Sequence, residues 1–293
     1  MNAPAANSRF SADWLAQREA LDARSRSQRL TGLAAEWLAA RPAPFGLVDL
    51  GSGTGSNPRF LAPRLPGPQR WRLVDHDAAL LARARRSRLH DAAGRRVAME
   101  IRCRSLAPFD ATLLEGASLI TASALFDLVS RPWCEALIDA AARRGQALLV
   151  ALSVDGDWAF LDAQGQRCDD DADAEVRTLF QAHQHRDKGL GAALGGEAPA
   201  LLAELMVAAG YRVASAATPW HLAAGGETAC TLGLTLVEGW AAAALEQAPS
   251  QRAWLTSWRQ RRCAELAAGE CGISVGHRDL FAWPGRDGVG GRA

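Results

Sequence analysis

A glycine-rich loop behind a short apolar stretch constrains this chain more than any other part of its sequence. Residues 47–50 are apolar except for Asp49, and three glycines follow at alternate positions: Gly51, Gly53 and Gly55. Glycine has no Cβ and adopts positive φ freely, so such a loop brings backbone close to a ligand. Asn57 and Pro58 then favour a helix start, because Asn caps helices and Pro is tolerated in the first turn. The stretch predicts a strand, a ligand-binding loop and a helix.

Four more apolar stretches alternate with helical or loop segments and predict a parallel sheet with helices on both faces. The five predicted strands are residues 45–50, 71–75, 97–103, 118–123 and 146–154. A helical segment, residues 11–40 and divided in two by a polar middle, comes before them. After them the periodicity predicts a strand at 211–222, helices at 229–246 and 251–268, and a last strand at 273–283.

Composition excludes several classes of protein. The chain has 293 residues and a net charge of +1, so its overall charge recruits neither nucleic acid nor a membrane surface. It has no signal-like start and no uninterrupted apolar run of about 20 residues, so a soluble, cytoplasmic protein is expected. The six cysteines form no C-x-x-C pair, and no metal site is predicted.

Two phosphate-binding motifs do not fit the loop. A P-loop requires a lysine after its last glycine, whereas Gly55 is followed by Ser56 and Asn57. A dinucleotide fingerprint has the spacing G-x-G-x-x-G, and its third glycine would fall at Ser56.

Asp75 closes the second predicted strand, where a carboxylate can accept two hydrogen bonds from a diol. Asp77 is the competing choice for that role.

Asp49, the alternately spaced glycines and Asp75 resemble the S-adenosyl-L-methionine site of class I methyltransferases. By strand and helix order the likeness covers about residues 45–154, and it extends at most to the last two strands. The resemblance implies a Rossmann-like α/β fold, mostly parallel with the last strand antiparallel. It also implies S-adenosyl-L-methionine as cofactor and S-adenosyl-L-homocysteine as product.

Carried over residue by residue, the resemblance implies one set of cofactor-binding residues. They are Asp49, Gly51, Ser52, Gly53, Thr54, Gly55, Asp75, His76, Ser105, Leu106, Thr121 and Ser123. Two departures from the family pattern stand out. The acidic residue or Asn that often follows strand three is absent from residues 104–107, so Ser105 or a backbone group has to contact the adenine. Residues 121–127 also lack the Asn/Asp-Pro-Pro-aromatic motif, which disfavours the methylation of amide and exocyclic amine groups.

The methyl acceptor is expected at the carboxyl ends of the strands, near residues 183–188. His183 and His185 are candidate bases, and Asp187 could orient one of them. Lys188 or Arg186 could hold a substrate carboxylate or phosphate. Lys188 is the one lysine among 33 basic residues. The alternative is that these groups only hydrogen-bond a long loop to the edge of the sheet.

The predicted function is a methyltransferase that acts on a small polar metabolite. The alternatives are an RNA or protein methyltransferase and a non-catalytic sensor that binds S-adenosylmethionine and contacts a partner. Nucleic acid and membrane are not expected as partners, and neither the acceptor nor the oligomeric state is encoded in a recognisable motif. The predicted division is an N-terminal helical segment (1–44), a cofactor-binding core (45–154), a lid and acceptor insertion (155–198), the remaining core with a helical pair (199–284) and a tail (285–293).

Overall fold

The computed structural model describes residues 11–187 and 189–285, which form eight strands and nine α-helices. The strands are β1 (Phe45–Leu50), β2 (Gln69–Asp75), β3 (Ala98–Cys103), β4 (Leu119–Ser123), β5 (Ala147–Leu161), β6 (Tyr211–Ala217), β7 (Trp220–Leu222) and β8 (Gly272–Pro284). The helices are α1 (Ala12–Ser25), α2 (Gln28–Ala39), α3 (Ser56–Leu61), α4 (Ala78–Ala84), α5 (Arg131–Arg143), α6 (Asp171–Gln184), α7 (Ala198–Ala208), α8 (Leu234–Gln247) and α9 (Arg252–Ala267).

All eight strands belong to one sheet with the order β3-β2-β1-β4-β5-β8-β6, and β7 pairs with β8. The first five strands are parallel to one another, whereas β8 is antiparallel to β5, β6 and β7. A dinucleotide-binding sheet would continue with parallel strands after the fifth. The antiparallel β8 between β5 and β6 is the arrangement predicted for a Rossmann-like methyltransferase sheet, and that fold class is confirmed.

Strand β5 is longer than predicted. The strand predicted at residues 146–154 begins at Ala147 and continues through Asp155 and Gly156 to Leu161. The pairing of β5 with β8 shifts register between Val154 and Trp158, and Gly156 has φ +84° there. These residues form an irregularity within the strand, and β8 is long enough to pair on both sides of it.

Two other segments also differ from the predicted pattern. The single strand expected at 211–222 is interrupted at Thr218, whose backbone N–H donates to His277 O, and it forms β6 and β7. The helix expected after β2 is short and ends at Ala84. The predicted break in the N-terminal helical segment is confirmed, since Ser27 caps a separate helix α2.

Helices α6, α8 and α9 form a cap over the C-terminal end of β5 and the N-terminal end of β8. The Trp158 ring stacks on Trp240 with centroids 4.0 Å apart. The buried Asp173 of α6 accepts hydrogen bonds from Trp258 Nε1 at 2.8 Å and from Arg262 Nε at 3.0 Å. A buried ion pair is stable only if its geometry is close and its polar atoms are hydrogen-bonded. The Asp173–Arg262 pair meets this requirement and joins α6 to α9. Among the described residues no helix has the length and apolar composition needed to cross a bilayer.

Candidate functional site

The glycine loop leaves β1 in a conformation that only glycine adopts without strain. Gly51, Gly53 and Gly55 all have positive φ, at +66°, +50° and +79°. The loop closes through a hydrogen bond from Gly55 N to Ser52 O at 2.8 Å, and Ser52 N donates to Val74 O at 3.0 Å. Helix α3 then begins at Ser56, so the predicted cap Asn57 lies inside the helix and Gly55 occupies the cap position.

Asp75 links the end of β2 to this loop. Its Oδ2 accepts a hydrogen bond from Gly53 N at 2.8 Å, and its Oδ1 accepts one from Asp77 N at 2.9 Å. The residue is 7% exposed and lines a cleft above the loop. Asp77, the alternative diol ligand, uses its carboxylate to cap α4 through Ala79 N and Leu80 N. Asp75 is therefore oriented by the glycine loop, whereas Asp77 is engaged with its own helix.

Asp49 lies beneath the glycine loop and is almost fully buried. Its Oδ1 accepts hydrogen bonds from Asn57 Nδ2 at 2.5 Å and from Thr121 Oγ1 at 2.8 Å. Its Oδ2 is buried and has no hydrogen-bond partner in the described part of the chain. Desolvation raises the pKa of the Asp49 carboxyl to about 6, although hydrogen bonds from Thr121, Asn57 and Ser52 and the charge of Arg26 oppose the shift.

A buried polar network connects Asp49 to the last strand. Arg26 Nη1 donates to Asn57 Oδ1 at 2.8 Å, and Arg26 Nε lies 3.8 Å from Asp279 Oδ2. Asp279 also accepts hydrogen bonds from Ser27 N at 3.0 Å and from Leu152 N at 2.8 Å. We call Asp49, Asn57, Arg26 and Asp279 the Arg26 network. It ties the junction of α1 and α2 to both the glycine loop and the middle of β5.

Two neighbouring non-glycine residues adopt the left-handed conformation, one just after the end of β4 and the other within β5. Ala124 and Leu152 each have φ +52°, and Ala124 N donates to Ala151 O at 3.0 Å. Such conformations are costly and persist only where the surroundings impose them. Asp279 holds Leu152 through its backbone N–H, and Ala124 lines the cleft. The Arg26 network therefore also supports the turn that bounds the cleft after β4.

The cleft encloses about 1070 Å³, including its open mouth, and lies over the carboxyl ends of β1, β2 and β4. Helix α1 closes one side with Leu15, Arg18 and Asp22. Arg18 Nε donates to Asp22 Oδ2 at 2.8 Å, whereas Asp22 Oδ1 is buried without a hydrogen-bond partner among the described residues. Burial raises the pKa of Asp22, and the neighbouring Arg18 limits the shift. Sequence reasoning missed these three residues, although their spacing on one helix face was visible.

Nine of the twelve predicted cofactor residues line this cleft. They are Gly51, Ser52, Gly53, Thr54, Asp75, His76, Ser105, Leu106 and Ser123. The other three, Asp49, Gly55 and Thr121, lie below the cleft surface and support the loop. A Cβ on Gly55 would come within 3.1 Å of Ala84 Cβ, so this position is set by packing against α4. Cofactor binding by these residues stays a prediction, which the structure makes geometrically possible.

The predicted catalytic segment is not brought into the cleft. His183 Nε2 lies 3.1 Å from Glu246 Oε2, which also accepts a hydrogen bond from Arg186 at 2.8 Å. His185 Nδ1 lies 3.2 Å from Ala193 O. Asp187 accepts hydrogen bonds from Gly189 N and Gly191 N. These contacts join α6 to α8 and shape the following loop, so the geometry gives no support to a catalytic role. Lys188 lies outside the described residues, and Leu190 of the same loop lines the cleft.

The residues of the cleft do not form a metal site. The described part of the chain contains no group of three or more His, Cys, Asp or Glu side chains that could hold a metal ion. The polar cleft residues beside the glycine loop are Asp22, Asp75 and Asp77 together with Arg18, His76 and several hydroxyl groups. The set suits an organic ligand that has hydroxyl and cationic groups.

Comparisons with known proteins find similar solved structures only at low sequence identity. No protein-family model matches the chain, and no curated protein matches its sequence. A mycolic acid cyclopropane synthase structure with S-adenosylhomocysteine bound is 13% identical, covering 86% of this chain and 82% of its own with a TM-score of 0.44. A cyclopropane synthase from Mycobacterium tuberculosis is 10% identical, covering 93% and 94% with a TM-score of 0.47.

A third similar structure is a phosphoethanolamine N-methyltransferase from Haemonchus contortus. It is 11% identical to this chain and covers 94% of it and 59% of its own length, with a TM-score of 0.40. Identities and TM-scores in this range do not assign the chain to a family. The function therefore has to be inferred from the residues of the site.

Proposed function

We propose that the protein is an S-adenosylmethionine-dependent methyltransferase that acts on a small polar acceptor. The observation that carries the proposal is Asp75, a carboxylate at the end of β2 that is held by the glycine loop and faces the cleft. A carboxylate in that position can bind both hydroxyls of a ribose. The antiparallel β8 and the G-x-G-x-G spacing argue against a dinucleotide.

The charges of the cleft support a cationic cofactor. Asp22, Asp75 and Asp77 line it, and Arg18, the one arginine among its described lining residues, pairs with Asp22. A pyrophosphate would bring two negative charges to a surface on which the described carboxylates outnumber arginines three to one. A sulfonium and an α-ammonium group would instead meet carboxylates. Asp22 lines the cleft, and its Oδ1, which has no hydrogen-bond partner among the described residues, fits the same kind of ligand.

Each end of the cleft suits one part of that cofactor. Leu80, Leu106 and Leu128 offer apolar surface for the adenine ring. Arg18 and Asp22 offer opposite charges for an amino-acid carboxylate and ammonium group. When bound, S-adenosylmethionine supplies an electrophilic methyl group for in-line displacement. The chain then has to orient the acceptor and exclude water, because positioning provides much of the rate enhancement in such a transfer.

Two elements overhang the cleft, and they favour a small acceptor over a macromolecule. Helix α1 closes one side, and Leu190 approaches from the loop after α6. The space of about 1070 Å³ includes the open mouth of the cleft, where a metabolite-sized acceptor would approach the cofactor. The candidate bases His183 and His185 remain outside this proposal because their side chains contact Glu246 and Ala193.

Calorimetry followed by label transfer tests the proposal. We expect the protein to bind S-adenosylhomocysteine and not NAD. With methyl-labelled S-adenosylmethionine and a fractionated cell extract, we expect label in the small-molecule fraction, and we expect the Asp75→Asn variant to transfer much less. NAD binding without S-adenosylhomocysteine binding would overturn the proposal.

The same experiment separates the alternatives. Label in the RNA fraction or the protein fraction would replace the small acceptor with a macromolecule. Tight cofactor binding with no transfer to any fraction would identify a sensor.

A further inference from the structure

A groove at the β3 edge of the sheet has no part in the proposed chemistry. It runs between β3 and the segment that follows α4. Four arginines, Arg85, Arg86, Arg88 and Arg96, form its rim, and Met99 and Ile101 form part of its floor. We call it the β3 groove.

The β3 groove has a local excess of positive charge, whereas the chain as a whole is nearly neutral. Residues 83–96 contain six arginines and one carboxylate, whereas the whole chain has a net charge of +1. The one carboxylate, Asp91, is buried and accepts a hydrogen bond from Arg95 Nε at 3.0 Å. None of the four rim arginines forms a side-chain hydrogen bond or an ion pair with another described residue. Such a cluster attracts an anionic partner and costs free energy through mutual repulsion when none is bound.

The groove also runs along a free strand edge. β3 is the terminal strand of the sheet, and within the described residues β2 is its one strand neighbour. The segment after α4 pairs with the residues just before β3, through the His90–Arg96 bridge and a hydrogen bond from Val97 N to Leu89 O at 3.0 Å. The outer N–H and C=O groups of β3 itself, from Ala98 onward, are the part of this edge that can pair with another chain. Met99 and Ile101 are only partly buried, and both pack against the core on the groove side. An extended segment placed here would gain backbone hydrogen bonds and apolar contacts together.

We propose that the β3 groove binds an extended, acidic segment of a partner protein, which adds to the sheet as a strand beside β3. Its carboxylates would face the four rim arginines, and its alternate apolar side chains would cover Met99 and Ile101. Single-stranded nucleic acid is the other anionic candidate. It usually requires aromatic side chains for base stacking, and no aromatic residue lines this groove.

The groove is connected to the cofactor cleft by one side chain. Arg59 Nη1 donates to Ser87 Oγ in the groove at 3.1 Å and to the glycine-loop carbonyl Thr54 O at 2.5 Å. Substitution of the rim arginines leaves both of these contacts in place. A loss of partner binding can therefore be measured separately from cofactor binding, and the two proposals can fail independently.

Fluorescence anisotropy with a labelled peptide of alternating Glu and Val tests the proposal at several salt concentrations. We expect binding to the wild type that weakens as salt is added. The variant with Arg85, Arg86, Arg88 and Arg96 all changed to Gln should bind the peptide about tenfold more weakly or worse. The matched control changes four exposed arginines elsewhere to Gln, namely Arg70, Arg131, Arg143 and Arg252, and should bind like the wild type.

Hydrogen exchange and a second ligand complete the test. We expect the amides of β3 to exchange more slowly when the peptide is bound. Absent binding, equal losses in the groove variant and its control, or unchanged exchange in β3 would overturn the proposal. Tighter binding of a single-stranded RNA of equal charge would also overturn it and assign the groove to nucleic acid.

Discussion

We expect cofactor binding to depend most on the carboxylate of Asp75. Asp75→Asn keeps the shape of the side chain but removes its charge. We expect S-adenosylhomocysteine to bind about ten- to hundredfold more weakly, which corresponds to ~1.5–3 kcal/mol of charge-assisted hydrogen bonding. Titration calorimetry measures the change. Asp77→Asn is the matched control, because Asn also caps helices well. A loss of affinity in the control alone would transfer the ribose role to Asp77.

The buried carboxyl of Asp49 predicts a pH dependence of stability. Its pKa is about 6 in the folded protein and near 3.9 when unfolded, so the folded state binds the proton more tightly. This contribution to stability is complete below about pH 4 and is lost as the pH rises through 6. Asp49→Asn cannot ionise. Relative to the wild type, its free energy of unfolding should therefore rise by up to about 3 kcal/mol between about pH 4 and pH 8.

Urea unfolding without cofactor measures this difference at each pH. Thr121→Val, which removes one hydrogen bond to the same carboxylate, provides a comparison that keeps the ionisable group. Parallel pH profiles for the wild type and Asp49→Asn would contradict the raised pKa.

The sequence predicted those residues whose positions depend on neighbours in the sequence, but not those whose positions depend on packing between distant segments. The glycines and Asp75 could be recognised because a tight turn and a strand end leave local sequence marks. Arg18 and Asp22 could not be placed, since their role arises from the packing of α1 over a loop more than thirty residues away. The polar segment around His183 attracted a catalytic interpretation. Its partner Glu246 lies 63 positions further along the chain and left no local signal.

At the scale of elements, helix α1 is predicted to recognise the amino-acid part of the cofactor. Arg18→Gln removes the positive charge from the cleft. It should weaken S-adenosylhomocysteine binding roughly tenfold. Methylthioadenosine has no amino-acid carboxylate, so its affinity should change little. Calorimetry with both ligands makes the comparison, and Arg24→Gln on the exposed side of the same helix is the control. Equal losses for both ligands would contradict this role for α1.

The alternation of strands and helices predicted the elements well, but it misplaced the end of β5. Asp155 and Gly156 have the composition of a turn, and local sequence cannot distinguish a turn from an irregularity inside a paired strand. Only the partner β8, more than one hundred residues later, decides between them. Residues 155–198 were predicted to be a lid and acceptor insertion. Local sequence could not show that α6, which lies in this segment, attaches to Trp258 and Arg262, because these contacts follow from tertiary packing.

At the scale of the whole molecule, the cap and α1 should respond differently to the cofactor. Within the cap, Asp173 of α6 is held by Trp258 and Arg262 of α9, whereas α1 has one buried side chain, Leu21. Elements with few buried contacts open most easily. We expect hydrogen exchange in α1 to slow when S-adenosylhomocysteine binds, while exchange in α6 stays the same. Protection of α6 without protection of α1 would instead support the predicted lid.

The position of β8 also has a consequence for protein synthesis. Asp279 is on this strand, and it holds Ser27 and Leu152, which a ribosome produces much earlier. Until residue 279 has emerged, Arg26 lacks its acidic neighbour on β8, and β5 and β6 lack the strand that lies between them. The nascent chain can therefore build its glycine loop early but cannot complete the network beneath it. We therefore expect the glycine loop to gain its full support only after β8 has been synthesised.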